Sequence, residues 1–168
     1  TTRGPLTISV AVHGFVPPGQ ALTRAGARVG DVVLVTGTLG DAAAGLHALQ
    51  HPPRDDDGRT GLRGFLIERL NRPTPRLAVG TALRAQATAC VDVSDGLLAD
   101  LGHICTASGV GAEIEAAWLP RSSALLELHD DTTALHFALS GGDDYELCFT
   151  VPAARMAELQ AGLARLGC

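Results

Sequence analysis

The sequence contains no lysine, and all thirteen of its Lys and Arg residues are arginine. This absence excludes the phosphate-binding lysine of P-loop proteins, the strand lysine of protein kinases and every mechanism that forms a Schiff base on the enzyme. Aromatic residues make up only 4% of the chain, and the formal net charge is −5. A nucleic-acid-binding surface needs a basic face with stacking rings, so we expect no nucleic acid among the partners.

Long apolar runs and closely spaced cysteines are missing as well. No apolar stretch reaches the roughly 18 residues that span a bilayer, so we expect no membrane partner. The four cysteines show no CxxC spacing, which argues against a zinc site and predicts reduced thiols in a cytoplasmic protein. The only methionine is Met156, so a sequence that starts at Thr1 is interpreted as a piece of a longer polypeptide.

The order of β-branched runs and helical patterns predicts an α+β (mixed α/β) fold, a layered mixed β-sheet flanked by helices. Strands are predicted at 7–12, 31–36, 89–93, 112–116 and 145–151. Helices are predicted at 41–50, 62–70, 75–88, 97–109 and 152–167. The continuous apolar run at 31–36 predicts a central strand. We expect Asp41 to cap the helix that follows and Trp118 to lie in the core.

Prolines and glycines at 14–19 mark a boundary between two units. Residues 1–19 are interpreted as the last strand and the linker of a truncated N-terminal domain. Residues 20–168 are interpreted as a C-terminal α/β domain that is itself truncated at its C-terminal end.

Residues 91–98 (VDVSDGLL) place Asp92 at the end of a predicted strand and Asp95 at the start of a helix. Open α/β sheets bind ligands at this position, and carboxylate oxygens suit Mg²⁺. The alternative is that Ser94 or Asp95 merely caps the helix. Capping does not account for Asp92, whose charge beside an apolar strand should be paired or metal-bound. We therefore favour metal binding.

Residues 140–146 (SGGDDYE) combine two glycines, which let a backbone approach a ligand closely, with three acids within four residues. By itself this pattern favours an ordinary Gly-Gly turn with solvated acids. If Asp143 lies near Asp92 and Asp95, however, the like charges need a counter-ion, which would be Mg²⁺ or a cationic substrate.

Five segments together resemble the thiamine-monophosphate kinases, which belong to the superfamily of aminoimidazole ribonucleotide synthetase. They are TTRGPL at 1–6, ALTRAG at 21–26, NRPTPR at 71–76, VDVSDGL at 91–97 and ALSGGDDYELCFT at 138–150. The resemblance implies the C-terminal domain of that superfamily's fold and ATP-dependent phosphorylation of thiamine phosphate to thiamine diphosphate with Mg²⁺. It also implies a homodimer for the full-length protein and no measurable activity for this chain alone.

Carried over by motif, the resemblance makes Asp92 and Asp95 ligands of Mg²⁺, Ser94 and Arg24 contacts to ATP, and Asp143 a contact to thiamine phosphate. The family often has glutamate where Asp143 stands. No residue is assigned as a catalytic base, because a phosphate oxygen of the substrate is already ionised near neutral pH.

Two alternatives stay open. The chain could come from another ATP-using enzyme of the superfamily, namely aminoimidazole ribonucleotide synthetase, selenophosphate synthetase or the hydrogenase-maturation type. It could also be a non-catalytic ligand-binding or interaction domain.

Overall fold

The computed structural model describes residues 4–53, 57–84 and 86–164. Its elements, in chain order, are β1 (Asp31–Val35), α1 (Asp41–Gln50), α2 (Thr60–Asn71), α3 (Leu77–Ala82), β2 (Ala89–Val93), α4 (Leu97–Ser108), a 3₁₀ turn (Ala116–Trp118), α5 (Ser123–Leu128), α6 (Asp131–Ser140), β3 (Glu146–Pro152), a second 3₁₀ turn (Ala153–Arg155) and α7 (Met156–Ala164). The predicted mixed α/β class is confirmed. None of the described helices is both long and apolar enough to cross a bilayer.

The described strands form one antiparallel sheet in the order β1-β3-β2. The register pairs Val33 with Thr150 and Val91 with Cys148. The prediction that 31–36 is a central strand is therefore wrong, since the last strand of the chain lies in the middle. The apolar run of β1 reflects packing on both faces: Val33 contacts one core cluster and Leu34 the other.

Hydrophobic clusters cover both faces of the sheet. One is built mainly from β2 and α4 and includes Val93, Leu97, Leu101, Ile104 and Cys148. The other joins β3 to α3 and α7 and includes Val79, Leu83, Phe149, Val151 and Leu159. The sheet is thus held between helices, as the sequence predicts, and its strand ends are free to carry loops.

A third cluster packs α1, α2, α5 and α6 together beside the sheet. Gly45 allows the close crossing of the first two helices, because a Cβ at this position would lie 2.3 Å from the carbonyl oxygen of Leu66. These helices support the loops at the end of the sheet where β1 leaves it and β3 enters it.

Several local predictions fail. No strand forms at 7–12 within the described chain, and its residues are exposed because no other described segment pairs with them. No strand forms at 112–116 either. Trp118 is 85% exposed and therefore not a core residue, because it lies in a 3₁₀ turn without buried residues. The predicted helix at 75–88 is limited to Leu77–Ala82.

The predicted last helix and the thiols are largely as expected. The helix begins as the 3₁₀ turn and continues as α7, while its predicted end at Gly167 lies outside the described residues, as does Cys168. Cys90, Cys105 and Cys148 are free thiols. Burial raises the pKa of Cys90 to about 11 and that of Cys148 to about 12, so both stay protonated near neutral pH.

Candidate functional site

Two loops meet at one end of the sheet. The SD loop (residues 93–96) connects β2 to α4, and the GG loop (residues 140–145) connects α6 to β3. Two backbone hydrogen bonds join them, from Asp143 N–H to Ser94 O (3.0 Å) and from Tyr145 N–H to Val93 O (2.9 Å). The two motifs singled out from the sequence are therefore brought together by the fold.

Glycines make this close approach geometrically feasible. A Cβ at Gly142 would lie 2.5 Å from Ser94 O, and one at Gly141 would lie 2.4 Å from Phe137 O. On the opposing loop, Gly96 has φ +104°, which L side chains rarely adopt, and a Cβ there would lie 2.9 Å from the carbonyl carbon of Ser140. The paired loops therefore require glycine on both sides.

Three of the predicted site carboxylates share this surface. Asp92, Asp95 and Asp143 are all exposed, and all three act on Tyr145. The negative charge of Asp143 and its hydrogen bond with the phenol raise the pKa of Tyr145, and the charges of Asp92 and Asp95 add to the effect. The Tyr145 hydroxyl donates to Asp143 Oδ1 at 3.2 Å. One exposed phenol thus lies within the field of three carboxylates.

The carboxylate oxygens of Asp92 and Asp95 are suitable ligands for Mg²⁺, but they do not form a complete metal site by themselves. The carboxylates of Asp92 and Asp95 make no ion pair within the described residues. The same residues contain no group of three or more His, Cys, Asp or Glu side chains that could hold a metal ion by itself. Mg²⁺ commonly keeps waters and substrate phosphates as ligands, so two carboxylates can supply the protein's share. The metal role stays a prediction.

Two expectations about the SD loop are wrong: that the charge of Asp92 is costly, and that Ser94 or Asp95 could cap α4. Asp92 is exposed, so its charge carries no large desolvation cost and does not by itself require a metal. Neither Ser94 nor Asp95 caps α4 with its side chain. The carboxylate of Asp100, 2% exposed, instead accepts hydrogen bonds from the backbone N–H groups of Ser94 (2.9 Å) and Asp95 (3.0 Å). The SD loop is thus held by a carboxylate of α4, and its own carboxylate, on Asp95, has no capping role.

Arg24 is not linked to these loops by any contact among the described residues. Its side chain is exposed, and its backbone carbonyl accepts from Ser108 Oγ at 3.3 Å. The neighbouring Thr23 carbonyl accepts from Cys90 N–H at 2.8 Å, near the start of β2. The ATP contact expected for Arg24 stays a prediction.

A buried ionic cluster around Glu146 was not predicted. Glu146 is fully buried and receives two hydrogen bonds from Arg76 (2.6 Å each), one from Arg69 (2.9 Å) and one from Thr36 Oγ1 (2.5 Å). Burial alone would raise the pKa of Glu146, but these hydrogen bonds outweigh it and hold the pKa below its usual value. The reading of Glu146 as one of several solvated acids is therefore wrong.

Asp144 also lies inside the protein and takes the capping role predicted for Asp41. The N-terminus of α1 has no side-chain cap of its own, and the Asp144 carboxylate accepts from Gly40 N–H (2.6 Å) and Ala42 N–H (3.1 Å). Asp41 instead accepts from Thr38 Oγ1 and from Ser122 Oγ. Burial raises the pKa of Asp144 to about 6, although the two backbone hydrogen bonds lower it in part.

The sequence and the fold were compared with known proteins. The family model described as AIR synthase related protein, C-terminal domain, matches residues 28–168. The thiamine-monophosphate kinase of Escherichia coli (strain K12) is 52% identical over 167 residues, which cover 99% of this chain and 51% of that protein.

Two solved structures share the fold at substantial identity. The crystal structure of thiamine-monophosphate kinase from Stenotrophomonas maltophilia K279a has a TM-score of 0.83 and 47% identity, covering 90% of this chain and 49% of that one. A structure described as AaThiL complexed with AMPPCP and TMP has a TM-score of 0.72 and 40% identity, covering 80% of this chain and 43% of that one. The chain thus spans about half the length of the relatives it matches.

Proposed function

The chain belongs to the family of AIR synthase related proteins, and on that premise we propose that it is the C-terminal portion of a thiamine-phosphate kinase. The complete enzyme would transfer the γ-phosphoryl group of ATP to thiamine phosphate and release thiamine diphosphate. The similarity to the Escherichia coli kinase supports the reaction. The AaThiL complex with AMPPCP and TMP supports the two substrates.

The observation that carries the proposal is the meeting of the SD and GG loops. The backbone bond from Asp143 to Ser94 holds Asp143 beside the segment that carries the exposed Asp92 and Asp95, and none of the three has an ion pair within the described residues, which supports an acidic surface here. Such a surface repels a bare polyphosphate, and it becomes attractive when divalent cations lie between carboxylates and phosphates. This is the arrangement that phosphoryl transfer between two phosphorylated substrates requires.

Within this proposal, Asp92 and Asp95 hold Mg²⁺, Ser94 and Arg24 contact ATP, and Asp143 contacts thiamine phosphate. When bound, Mg²⁺ supplies the positive charge that neutralises the transferring phosphoryl group, a role for which the chain has no lysine. Arg24 adds a fixed positive charge suited to a phosphate oxygen.

The chemical demand on the protein is one of positioning. A phosphate oxygen of thiamine phosphate is already ionised near neutral pH, so it attacks the γ-phosphorus without a general base. The protein then has to align donor and acceptor and keep their charges apart until transfer. The two backbone hydrogen bonds between the loops fix the spacing of the residues that would do this.

We extend the proposal to the context of the chain. Residues 1–19 complete a preceding domain, which supplies the rest of the active site, and the full-length enzyme is a homodimer. The even-numbered positions Leu6, Ile8, Val10 and Val12 are apolar and each at least 77% exposed, which suits a strand that pairs outside the described residues. Free thiols in the core are compatible with a cytoplasmic location.

The decisive experiment measures thiamine diphosphate formation by the complete enzyme from thiamine phosphate, ATP and Mg²⁺. We expect turnover that chelation by EDTA abolishes, and no turnover by the 168-residue chain alone. The double variant Asp92→Asn/Asp95→Asn should lose about 100-fold or more in kcat/KM, since metal-assisted charge stabilisation is typically worth several kcal/mol.

Asp131→Asn provides the matched control, because this aspartate is exposed and lies on α6 outside the two loops. It should retain normal kcat/KM. Failure of the complete enzyme to form thiamine diphosphate would refute the proposed reaction. Full activity in the double variant would refute the assignment of Asp92 and Asp95.

A further inference from the structure

The chain that enters β3 alternates between the surface and the interior. Asp143 and Tyr145 are exposed, whereas Asp144 and Glu146 are 1% and 0% exposed. The two exposed side chains face the acidic surface of the SD loop, and the two buried carboxylates face the helices beside the sheet. Asp143 therefore lies at the surface, whereas its neighbour Asp144 lies in the interior.

The exposed members of this segment have an unusual backbone. Asp143 has φ +67° and Tyr145 has φ +51°, and they are the two non-glycine residues with positive φ in the described part of the chain. Left-handed backbone is unfavourable for an L residue because its Cβ crowds the neighbouring carbonyl oxygen. Such a conformation persists only where the surrounding structure determines it.

Asp144 lies between the two left-handed residues and is tied down on the opposite side. Its carboxylate bridges Gly40 N–H at 2.6 Å and Ala42 N–H at 3.1 Å, which are backbone donors at the start of α1. Rotating residue 143 or 145 out of the left-handed region would move residue 144 and break these bonds. The buried carboxylate, with the Glu146 cluster two residues on, therefore opposes relaxation of the segment.

We propose that Asp144 is a positioning residue that acts through Asp143: by bonding to the start of α1, it fixes the left-handed turn that presents the Asp143 carboxylate to thiamine phosphate. The inference rests on the proposed kinase function. It assigns Asp144 no contact with substrate. The side chain of Asp143 has a single methylene group, so the backbone position of residue 143 decides its reach.

The test is the variant Asp144→Asn in the complete enzyme. Asparagine keeps the volume and one acceptor oxygen, but it presents an amide group to one of the two backbone donors, so the bridge cannot form. We expect the KM for thiamine phosphate to rise about tenfold or more, because a tenfold change in affinity corresponds to the net free energy of about one charge-assisted hydrogen bond. The KM for ATP and kcat at saturation should stay within about threefold of wild type.

Asp130→Asn is the matched control, because Asp130 caps α6 by accepting from Thr133 N–H at 3.0 Å and lies at the opposite end of this helix from the GG loop. It should weaken a helix cap without changing either KM. A second variant, Asp144→Ser, keeps one acceptor in a smaller side chain and should show the same selective rise if the asparagine variant folds poorly.

The outcomes distinguish failure of the proposed kinase function from failure of the positioning role of Asp144. If wild-type enzyme forms no thiamine diphosphate, the proposed function fails first. If wild type is active and the folded Asp144 variants keep a normal KM for thiamine phosphate, the positioning role is overturned. It is equally overturned if both KM values rise together, or if both variants fail to fold while Asp130→Asn folds, since Asp144 would then be a structural cap only.

Discussion

Two groups of acidic side chains in this molecule have opposite surroundings. The exposed group comprises Asp92, Asp95 and Asp143. The buried group comprises Asp41, Asp100, Asp144 and Glu146. Every buried carboxylate accepts hydrogen bonds from backbone N–H groups, hydroxyls or arginine. The exposed carboxylates make no ion pair within the described residues.

The contrast separates acids that hold the fold from acids whose charge stays exposed at the surface. A buried carboxylate is tolerated only when its charge is satisfied internally, and Glu146 meets this demand through Arg69, Arg76 and Thr36. The exposed acids pay little desolvation cost and keep their charge available. The buried acids in turn fix the loops that carry the exposed ones, as Asp100 does for the SD loop and Asp144 for the GG loop.

The largest effect is expected from breaking the buried side of the contrast. Glu146→Gln removes the charge that pairs with Arg69 and Arg76, both of which have side chains less than a quarter exposed. Removing one partner of a buried ion pair typically costs about 3 to 5 kcal/mol of unfolding free energy. Arg69 keeps its contact with Asp41 Oδ2 (3.5 Å) in this variant. Urea denaturation followed by circular dichroism measures the change.

The control for this variant is Glu68→Gln. Glu68 pairs with Arg72 one helical turn away, at 3.3 Å, where both side chains are mostly exposed. Such a pair is worth less than about 1 kcal/mol. A comparable loss of unfolding free energy in both variants would mean that the buried Glu146 cluster stabilises the fold no more than an exposed ion pair does, which would contradict the prediction.

The next largest effect is a pH dependence of the unfolding free energy that differs in sign between the buried Asp144 and the exposed Asp130. The pKa of Asp144 is raised from 3.8 to about 6 by burial, so the folded state holds its proton more tightly than the unfolded state. The stability that this group contributes is therefore full below pH ~4 and is lost as the pH rises through about 6. A shift of this size corresponds to about 3 kcal/mol.

The measurement is the difference in unfolding free energy between wild type and Asp144→Asn at pH 4 and at pH 7. We expect wild type to lose unfolding free energy relative to Asp144→Asn as the pH rises. Asp130 provides the opposite sign, because the backbone N–H of Thr133 lowers its pKa. Its contribution is present above pH ~4 and is lost as the pH falls. Parallel pH profiles for the Asp144 and Asp130 variants would contradict the assignment.

Much of the site could be predicted from local sequence. The strands at 89–93 and 145–151 and the need for glycine at 96 and 142 follow from patterns a few residues long. The sequence did not predict that the two loops meet; it stated only what would follow if Asp143 lay near Asp92 and Asp95. The backbone hydrogen bonds show that the loops do meet. Short-range rules work here because the relevant contacts lie at the ends of recognisable strands.

The ionic cluster could not be predicted in this way, because its partners are distant along the chain. Glu146 meets Arg76 across 70 residues and Thr36 across 110. The signal that was available is the alternation of β3 itself: positions 146, 148 and 150 of the strand are buried, and position 144 continues the same period of two upstream. Extending the strand's alternation upstream would have placed Asp144 inside and Asp143 outside.

Capping rules failed for a related reason. Asp41 and Asp95 stand where helix-capping aspartates are expected, yet neither caps its helix. The donors at the start of α1 are satisfied by Asp144, and Asp100 accepts from the SD loop ahead of α4. Sequence position identifies the orphan N–H groups of a helix start, but not which carboxylate of the folded chain reaches them.

The smallest effect is expected from separating the two loops without changing any charge. In Gly142→Ala, the new Cβ would lie 2.5 Å from the backbone oxygen of Ser94, so the GG loop must shift away from the SD loop. We expect a loss of about 1 to 3 kcal/mol in unfolding free energy, typical of overpacking, together with a lower kcat/KM in the complete enzyme. Gly102→Ala is the matched control, since a Cβ at this position of α4 meets nothing within 4 Å and should stabilise the helix by up to about 1 kcal/mol. If Gly142→Ala behaves like Gly102→Ala, the close contact does not hold the exposed acids in place, and the buried carboxylates alone must do so.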